Sequence, residues 1–317
     1  MRHADYPFLP KDFIQTTGGL IFAVVSYQAH DKKVGCFLRY VATDKGWKKV
    51  DTEQANQLLN EKQPQYLYQS TQFDAVFHAV PQGDVITHYR PEERLQSVLQ
   101  CDARDKIEYK LQKLIPILVQ YGAKSEHLGL TGSMLINQQQ ATSDIDLVVY
   151  GRHAFQKTRQ ALALAVANGK IEFLDLKLMK DNFNRRAAEL SFDDFSWHEN
   201  RKLNKASIDG TKFDLGMVCL NDEVEIDQQC YQKQGRRNFK TQVIDDHRAF
   251  DFPAVYLVDD ELTPNIVSYT HTYVGQAKIG EIIEVSGAVE QDVSTGKCRL
   301  IVGSTREAKN EYIKVIR

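Results

Sequence analysis

Two kinds of hydrophobic spacing alternate along the chain, and their boundaries divide it into three parts. In residues 1–91 apolar and β-branched side chains come in short runs. Residues 20–27 (LIFAVVSY) and 34–41 (VGCFLRYV) read as paired strands around the polar loop His30-Asp31-Lys32-Lys33. A helix is predicted over 51–60, with Asp51 or Thr52 at its N-cap, and a strand over 73–80. The turn Pro81-Gln82-Gly83-Asp84 follows, and Arg90-Pro91 closes a small α/β unit. From 92 to 121 the spacing becomes helical: Leu111, Leu114, Ile115 and Leu118 recur at i, i+3, i+4 and i+7. Gly122 suits the cap, and Pro116 predicts a kink or a division of this helix.

Residues 128–130 and 145–150 read as strands, 154–168 as a helix closed by Gly169, and 204–208 with 211–219 as a hairpin about Asp209-Gly210. This strand–helix–strand order makes 92–223 a small mixed sheet with helices packed on one side. Beyond 224 the pattern is mostly strands. Residues 280–290 place Ile283, Val285, Gly287 and Val289 on one face, Ser294-Thr295-Gly296 turns the chain, and 298–302 and 311–316 follow. Short strands with glycine at bends suggest a β-rich, OB-like barrel over 224–317. The predicted fold class is α+β, with parts 1–91, 92–223 and 224–317.

The middle part carries the chemistry. Gly132-Ser133 ends the first short strand, and ten residues on comes Ser143-Asp144-Ile145-Asp146-Leu147-Val148-Val149-Tyr150. On a strand Asp144 and Asp146 project from one face, and Ile145 and Leu147 from the other. Paired carboxylates raise each other's pKa unless a cation lies between them, and oxygen-only ligands suit a hard ion such as Mg²⁺ or Mn²⁺. Glycine lets the backbone approach a phosphate, which the serine hydroxyl and the N–H groups of a following helix start can bind. In the hairpin's second arm Lys212, Asp214 and Gly216 share a face opposite Phe213, Leu215 and Met217. Asp214 is a lone acid in an apolar strand, which calls for a metal or for a partner such as Lys212.

Hydrophobic-Gly-Ser, ten residues, then Asp-x-Asp in a strand resembles the signature of the DNA polymerase β superfamily of nucleotidyltransferases. The flanking parts, with Ser-Tyr-Thr-His-Thr-Tyr at 268–273, resemble an uncharacterised prokaryotic branch of it. The resemblance implies a polymerase-β-like nucleotidyltransferase core. It implies that Asp144, Asp146 and Asp214 are catalytic and hold two divalent ions, and that Gly132 and Ser133 cradle the triphosphate. The implied reaction moves a nucleoside monophosphate from an NTP, with ATP among the candidate donors, to a hydroxyl acceptor and releases pyrophosphate. One departure stands out. Many relatives carry a basic residue soon after Gly-Ser, whereas 134–142 here has none. Arg201 and Lys202, next to the hairpin, are the residues expected to meet the phosphates instead.

Composition bounds the partners. With 317 residues, 42% of them hydrophobic, and a net charge of −2, no overall basic field points to nucleic acid. No apolar run approaches the ~18–20 residues of a membrane span, and Met1-Arg2-His3-Ala4-Asp5 lacks a signal-peptide profile. Five scattered cysteines without Cys-x-x-Cys fit a reduced, cytoplasmic protein without structural zinc. An OB-like barrel favours an RNA 3′ end as acceptor, with Tyr269, His271, Tyr273 and Lys278 as candidate surface groups and Lys233, Arg236, Arg237 and Lys240 before them. The acidic balance favours a protein or small-molecule acceptor. A non-catalytic nucleotide-sensing protein is the third reading.

Overall fold

The apolar runs of the first part assemble into one sheet. In the computed structural model, which describes residues 6–186, 189–305 and 309–317, β1 (Phe13–Thr16), β2 (Leu20–His30), β3 (Lys33–Thr43), β4 (Gly46–Lys49), β5 (Leu67–Ser70), β6 (Ala75–Pro81) and β7 (Val85–Tyr89) pair antiparallel. Their order is β5-β6-β3-β2-β1-β7, with β4 on β3. The expected polar loop is the turn at Asp31-Lys32, both at positive φ. Asp51 caps α1 (Thr52–Lys62): its carboxylate accepts the Gln54 N–H at 2.9 Å, and the Gln54 side chain accepts the Asp51 N–H. The stretch 1–5, read above for a signal peptide, lies outside the described residues.

The helical stretch after Arg90 is two helices, α2 (Pro91–Leu99) and α3 (Lys106–Gln120). The division falls before Lys106 and not at Pro116, because Asp105 caps α3 by accepting the Ile107 and Glu108 N–H groups at 2.8 and 2.9 Å. Pro116 stays inside α3. Next come β8 (Leu128–Thr131), β9 (Ile145–Tyr150), α4 (Arg152–Ala167), α5 (Leu176–Arg186), α6 (Phe192–Lys202) and β10 (Lys205–Ile208). The Asp209-Gly210 turn, with both residues at positive φ as a two-residue hairpin turn requires, leads into β11 (Thr211–Val218). β9 pairs with β8 antiparallel and with β11 parallel.

The chain forms two compact units. The first holds residues up to Thr71, Ala75–Ala165 and Ile208–Asp227; the second holds Gln72–Asp74, Val166–Ser207 and Gln228 onward. Most of the first part read from the sequence therefore shares the first unit with β8, β9 and β11 of the second part, whereas residues 166–207 of that second part fall in the second unit. In the first unit Phe13, Ile21 and Tyr40 of the seven-stranded sheet pack against Leu135 and Ile136, and Leu9 packs against Val148, Tyr150 and Val218. In the second unit Met179 of α5 and Phe195 of α6 are buried with Val243, Tyr256 and Ile283.

That unit is built on β12 (Tyr231–Asp245), β13 (Ala254–Val258), β14 (Asn265–Ser268), β15 (Ile282–Asp292), β16 (Cys298–Val302) and β17 (Tyr312–Val315). The first five close into a ring, β12-β13-β14-β16-β15, because β12 also pairs with β15. Only β14 and β16 run parallel in it. β12 escapes the hydrophobic pattern because its exposed side is a run of Gln, Lys and Arg. Two of the basic residues expected to face a ligand are tied locally, Arg236 to Glu311 and Arg237 to Asp260. Tyr273, expected at the surface, is buried, and its hydroxyl donates to the Glu311 carbonyl at 3.2 Å. The molecule is thus mixed α+β, with six helices and three sheets among the described residues, none of those helices long and apolar enough to cross a membrane.

Candidate functional site

Strand register places the acids. Thr131 on β8 lies opposite Asp146 on β9, and Asp146 lies opposite Asp214 on β11. Side chains opposite one another in a sheet share a face, so the three form a row across three strands. Asp144 flanks β9 two residues before Asp146 and therefore falls on the same side. Beneath the row Ile145, Leu147, Phe213 and Leu215 are buried and hold the strands. Asp144 and Asp214 keep 21% and 19% of their side-chain surface exposed, so the row is open to solvent.

The chain turns back sharply at Gly132, which has φ +68. A Cβ there would lie 2.2 Å from the Asp146 carboxylate, so only glycine lets this turn meet the acid. A short 3₁₀ helix, Gly132–Ile136, follows. The Ser133 hydroxyl reaches that of Ser143 at 3.5 Å, and Ser143 accepts the Gln140 N–H at 2.9 Å. The run leading into Asp144 is thereby tied to the Gly-Ser turn. Arg94 of α2 donates to the Met134 carbonyl at 2.9 Å, and Arg104 to Asn137 at 2.6 Å.

Two lysines meet the acids. Lys212, 4% exposed, lies with its ammonium 3.0 Å from both Asp144 and Asp214. Burial alone would pull its pKa down; Asp214 and Asp144 outweigh that and hold it above the ordinary lysine value. Asp146 moves the other way. Burial, with the charges of Asp214 and Asp144, raises its carboxyl against the opposing charges of Lys212 and Lys11. Three carboxylates on one face of a sheet are a donor set suited to a hard divalent ion. Among the described residues no group of acids, histidines or cysteines stands ready-made around a metal position. In the acid row the carboxylates of Asp144 and Asp214 are gathered on the Lys212 ammonium instead.

Asp144, Asp146, Asp214, Gly132 and Ser133 are thus brought together in the first unit. Arg201 and Lys202 belong to the second. There Arg201 bonds to Glu281 with its guanidinium over the Trp197 ring, and Lys202, 1% exposed, donates to Glu199 at 2.7 Å and to the Thr272 carbonyl at 2.6 Å. Burial lowers the Lys202 pKa to about 8. Lys11 was not legible in the sequence. No periodicity marks it, and the tertiary fold alone brings it to the acids.

The fold and site define an α+β protein with a row of acids on a mixed sheet, entered through a Gly-Ser turn. The chain belongs to the family of Uncharacterized protein MJ1086 from Methanocaldococcus jannaschii, with which it is 35% identical over 335 residues, 97% of this chain and 98% of the relative. No family profile and no solved structure matches it.

Proposed function

We propose that the protein is a metal-dependent nucleotidyltransferase, moving a nucleoside monophosphate from an NTP to a hydroxyl acceptor with release of pyrophosphate. The observation that carries this reading is the register of Asp146 with Asp214, with Asp144 on the same side and the glycine turn pressed against Asp146. Asp144, Asp146 and Asp214 would hold two Mg²⁺ or Mn²⁺ ions, which when bound supply charge neutralisation at the triphosphate and a lowered pKa at the attacking hydroxyl. The chain's own residues position the substrate. Gly132 gives the phosphates room at the backbone, and the Ser133 hydroxyl and the N–H groups of the 3₁₀ turn donate to their oxygens.

For the acceptor, the five-strand ring with one parallel pair supports an OB-like barrel and with it an RNA 3′ end. The local pairing of Arg236 and Arg237 with Glu311 and Asp260 favours a protein or small-molecule acceptor instead. One experiment separates these readings: α-labelled NTPs with Mg²⁺ or Mn²⁺, added to a lysate then fractionated into RNA, protein and small molecules. Label in one fraction, lost with Asp146→Asn at unchanged unfolding midpoint, is the expected result. No transfer in any fraction, with divalent-dependent NTP binding retained, would move the reading to a nucleotide sensor.

A further inference from the structure

We propose that Lys11, from the N-terminal part of the chain, is the triphosphate-binding cation of the acid site, taking the role of the basic residue that the Gly-Ser turn lacks. The proposal rests on the nucleotidyltransferase reading above. Its basis is where Lys11 lies. The Thr131 hydroxyl, at one end of the row Thr131–Asp146–Asp214, donates to the Lys11 carbonyl at 2.7 Å. The side chain runs across the same face to Gly216, where Cε lies 3.7 Å from the position a Cβ would take. Gly216 is two residues beyond Asp214, so its missing side chain would have stood on the acid face. Lys11 therefore spans this face of the sheet beside the acids, with its stem over a glycine that leaves it space. Its charge is also felt at Asp146.

The backbone there is built with care. Lys11 has φ +79, an uncommon conformation for a residue with a side chain. The turn that imposes it is held by Asp12, which is 0% exposed and whose carboxylate accepts the Leu9 N–H at 2.8 Å and meets His88 at 2.7 Å. The Lys11 N–H donates to the Val24 carbonyl at 3.1 Å. Strain of this kind persists only where the surroundings over-determine it, and it gathers at functional sites. Lys212, whose ammonium lies between Asp144 and Asp214, is a second cation on this face. The partner this chemistry recognises is a polyanion at the Gly-Ser turn, the β- and γ-phosphates of a nucleoside triphosphate.

The test is equilibrium binding of each α,β-methylene ribonucleoside triphosphate with Mg²⁺ by calorimetry, which needs no turnover. Lys11→Asn tolerates the positive φ and removes the charge; Lys11→Gly removes strain as well; Lys11→Arg keeps the charge. Lys62→Gln, on exposed α1, controls for net charge. The expected result is about a 10-fold or greater loss of triphosphate affinity in Lys11→Asn and Lys11→Gly. The matching monophosphate should bind within about 3-fold of the parent, as should the triphosphate to Lys11→Arg and Lys62→Gln. Parent-like triphosphate affinity in both uncharged variants, or an equal loss of monophosphate, would overturn the role of Lys11 alone. A parent protein that binds no nucleotide would overturn the nucleotidyltransferase reading itself.

Discussion

Gly132 and Gly169 have nearly the same backbone, φ +68 and +65, in very different surroundings. Alanine at either must enter the left-handed region at a cost of about 1–2 kcal/mol. At Gly169 a Cβ meets nothing within 4 Å, whereas at Gly132 it meets the Asp146 carboxylate at 2.2 Å. Gly169→Ala should lose only the conformational cost in urea unfolding. Gly132→Ala should lose more and should also lose nucleotide binding, because relief comes from moving Asp146. Lys212 poses a different question. Its removal takes away the ammonium that lies 3.0 Å from both Asp144 and Asp214. With those acids about one-fifth exposed, Lys212→Met should cost about 1–3 kcal/mol at pH 7, less than the loss of a fully buried pair. Mn²⁺ without nucleotide should restore more stability to this variant than to the parent, read as a shift in the urea midpoint.

Among the elements, α2 and α3 grip the Gly-Ser turn through one carboxylate. Glu108 in the first turn of α3 is 2% exposed and pairs with Arg104 and with Arg94, at 2.8 Å for the latter. Those arginines hold the Met134 carbonyl and Asn137 just beyond Ser133. The bonds to Arg104, against the effect of burial and with the charges of Arg104 and Arg94, bring the Glu108 pKa down to about 2. The folded value lies below the unfolded one. Its contribution is therefore complete above pH about 5 and is lost as pH falls from about 4.5 toward 2. Glu108→Gln should cost on the order of 3 kcal/mol at pH 7 and little at pH 2, so the variant's stability should fall less steeply with acid than the parent's. Urea titrations across this range would read the difference.

At the scale of the molecule, the N-terminal sheet and the acid-bearing sheet share one compact unit. Leu135, Ile136, Val148, Tyr150 and Val218 are covered by Leu9, Phe13, Ile21 and Tyr40. Uncovering five such side chains forfeits about 10 kcal/mol at 1.5–3 kcal/mol each, comparable to the whole stability of a domain. A chain beginning at Pro91, which keeps nearly all of the second unit, should therefore lose the cooperative unfolding of the acid-bearing sheet and should bind a hydrophobic dye that the full chain leaves unbound. Hydrogen-exchange protection of β8, β9 and β11 equal to the full chain's would show that the acid-bearing sheet folds without its cover.

Local signals were enough for much of this protein. The Asp209-Gly210 turn, the Asp51 cap, the apolar stripe of α3 and the alternation around Asp214 each lie within a few residues, so the sequence states them directly. Period-two alternation put Asp144 and Asp146 on one face and gave Asp214 its face on its own strand; that the three belong together was implied by the family resemblance, and the pairing of β9 with β11 sets Asp146 opposite Asp214. Long-range choices were not legible. β12 hides behind its charges until β13 and β15 pair with it. α5 and α6, amphipathic in either setting, pack on the C-terminal sheet because that is where a matching apolar face is exposed. Lys11, whose local sequence resembles any surface turn, comes to the acid face because Val24 and Thr131, distant in the chain, bond its backbone N–H and carbonyl. Sequence by itself determined which residues could do chemistry and which way each faced on its own strand. The tertiary structure decided which charges meet, because burial and strand register, not local propensity, bring separated segments within ångströms.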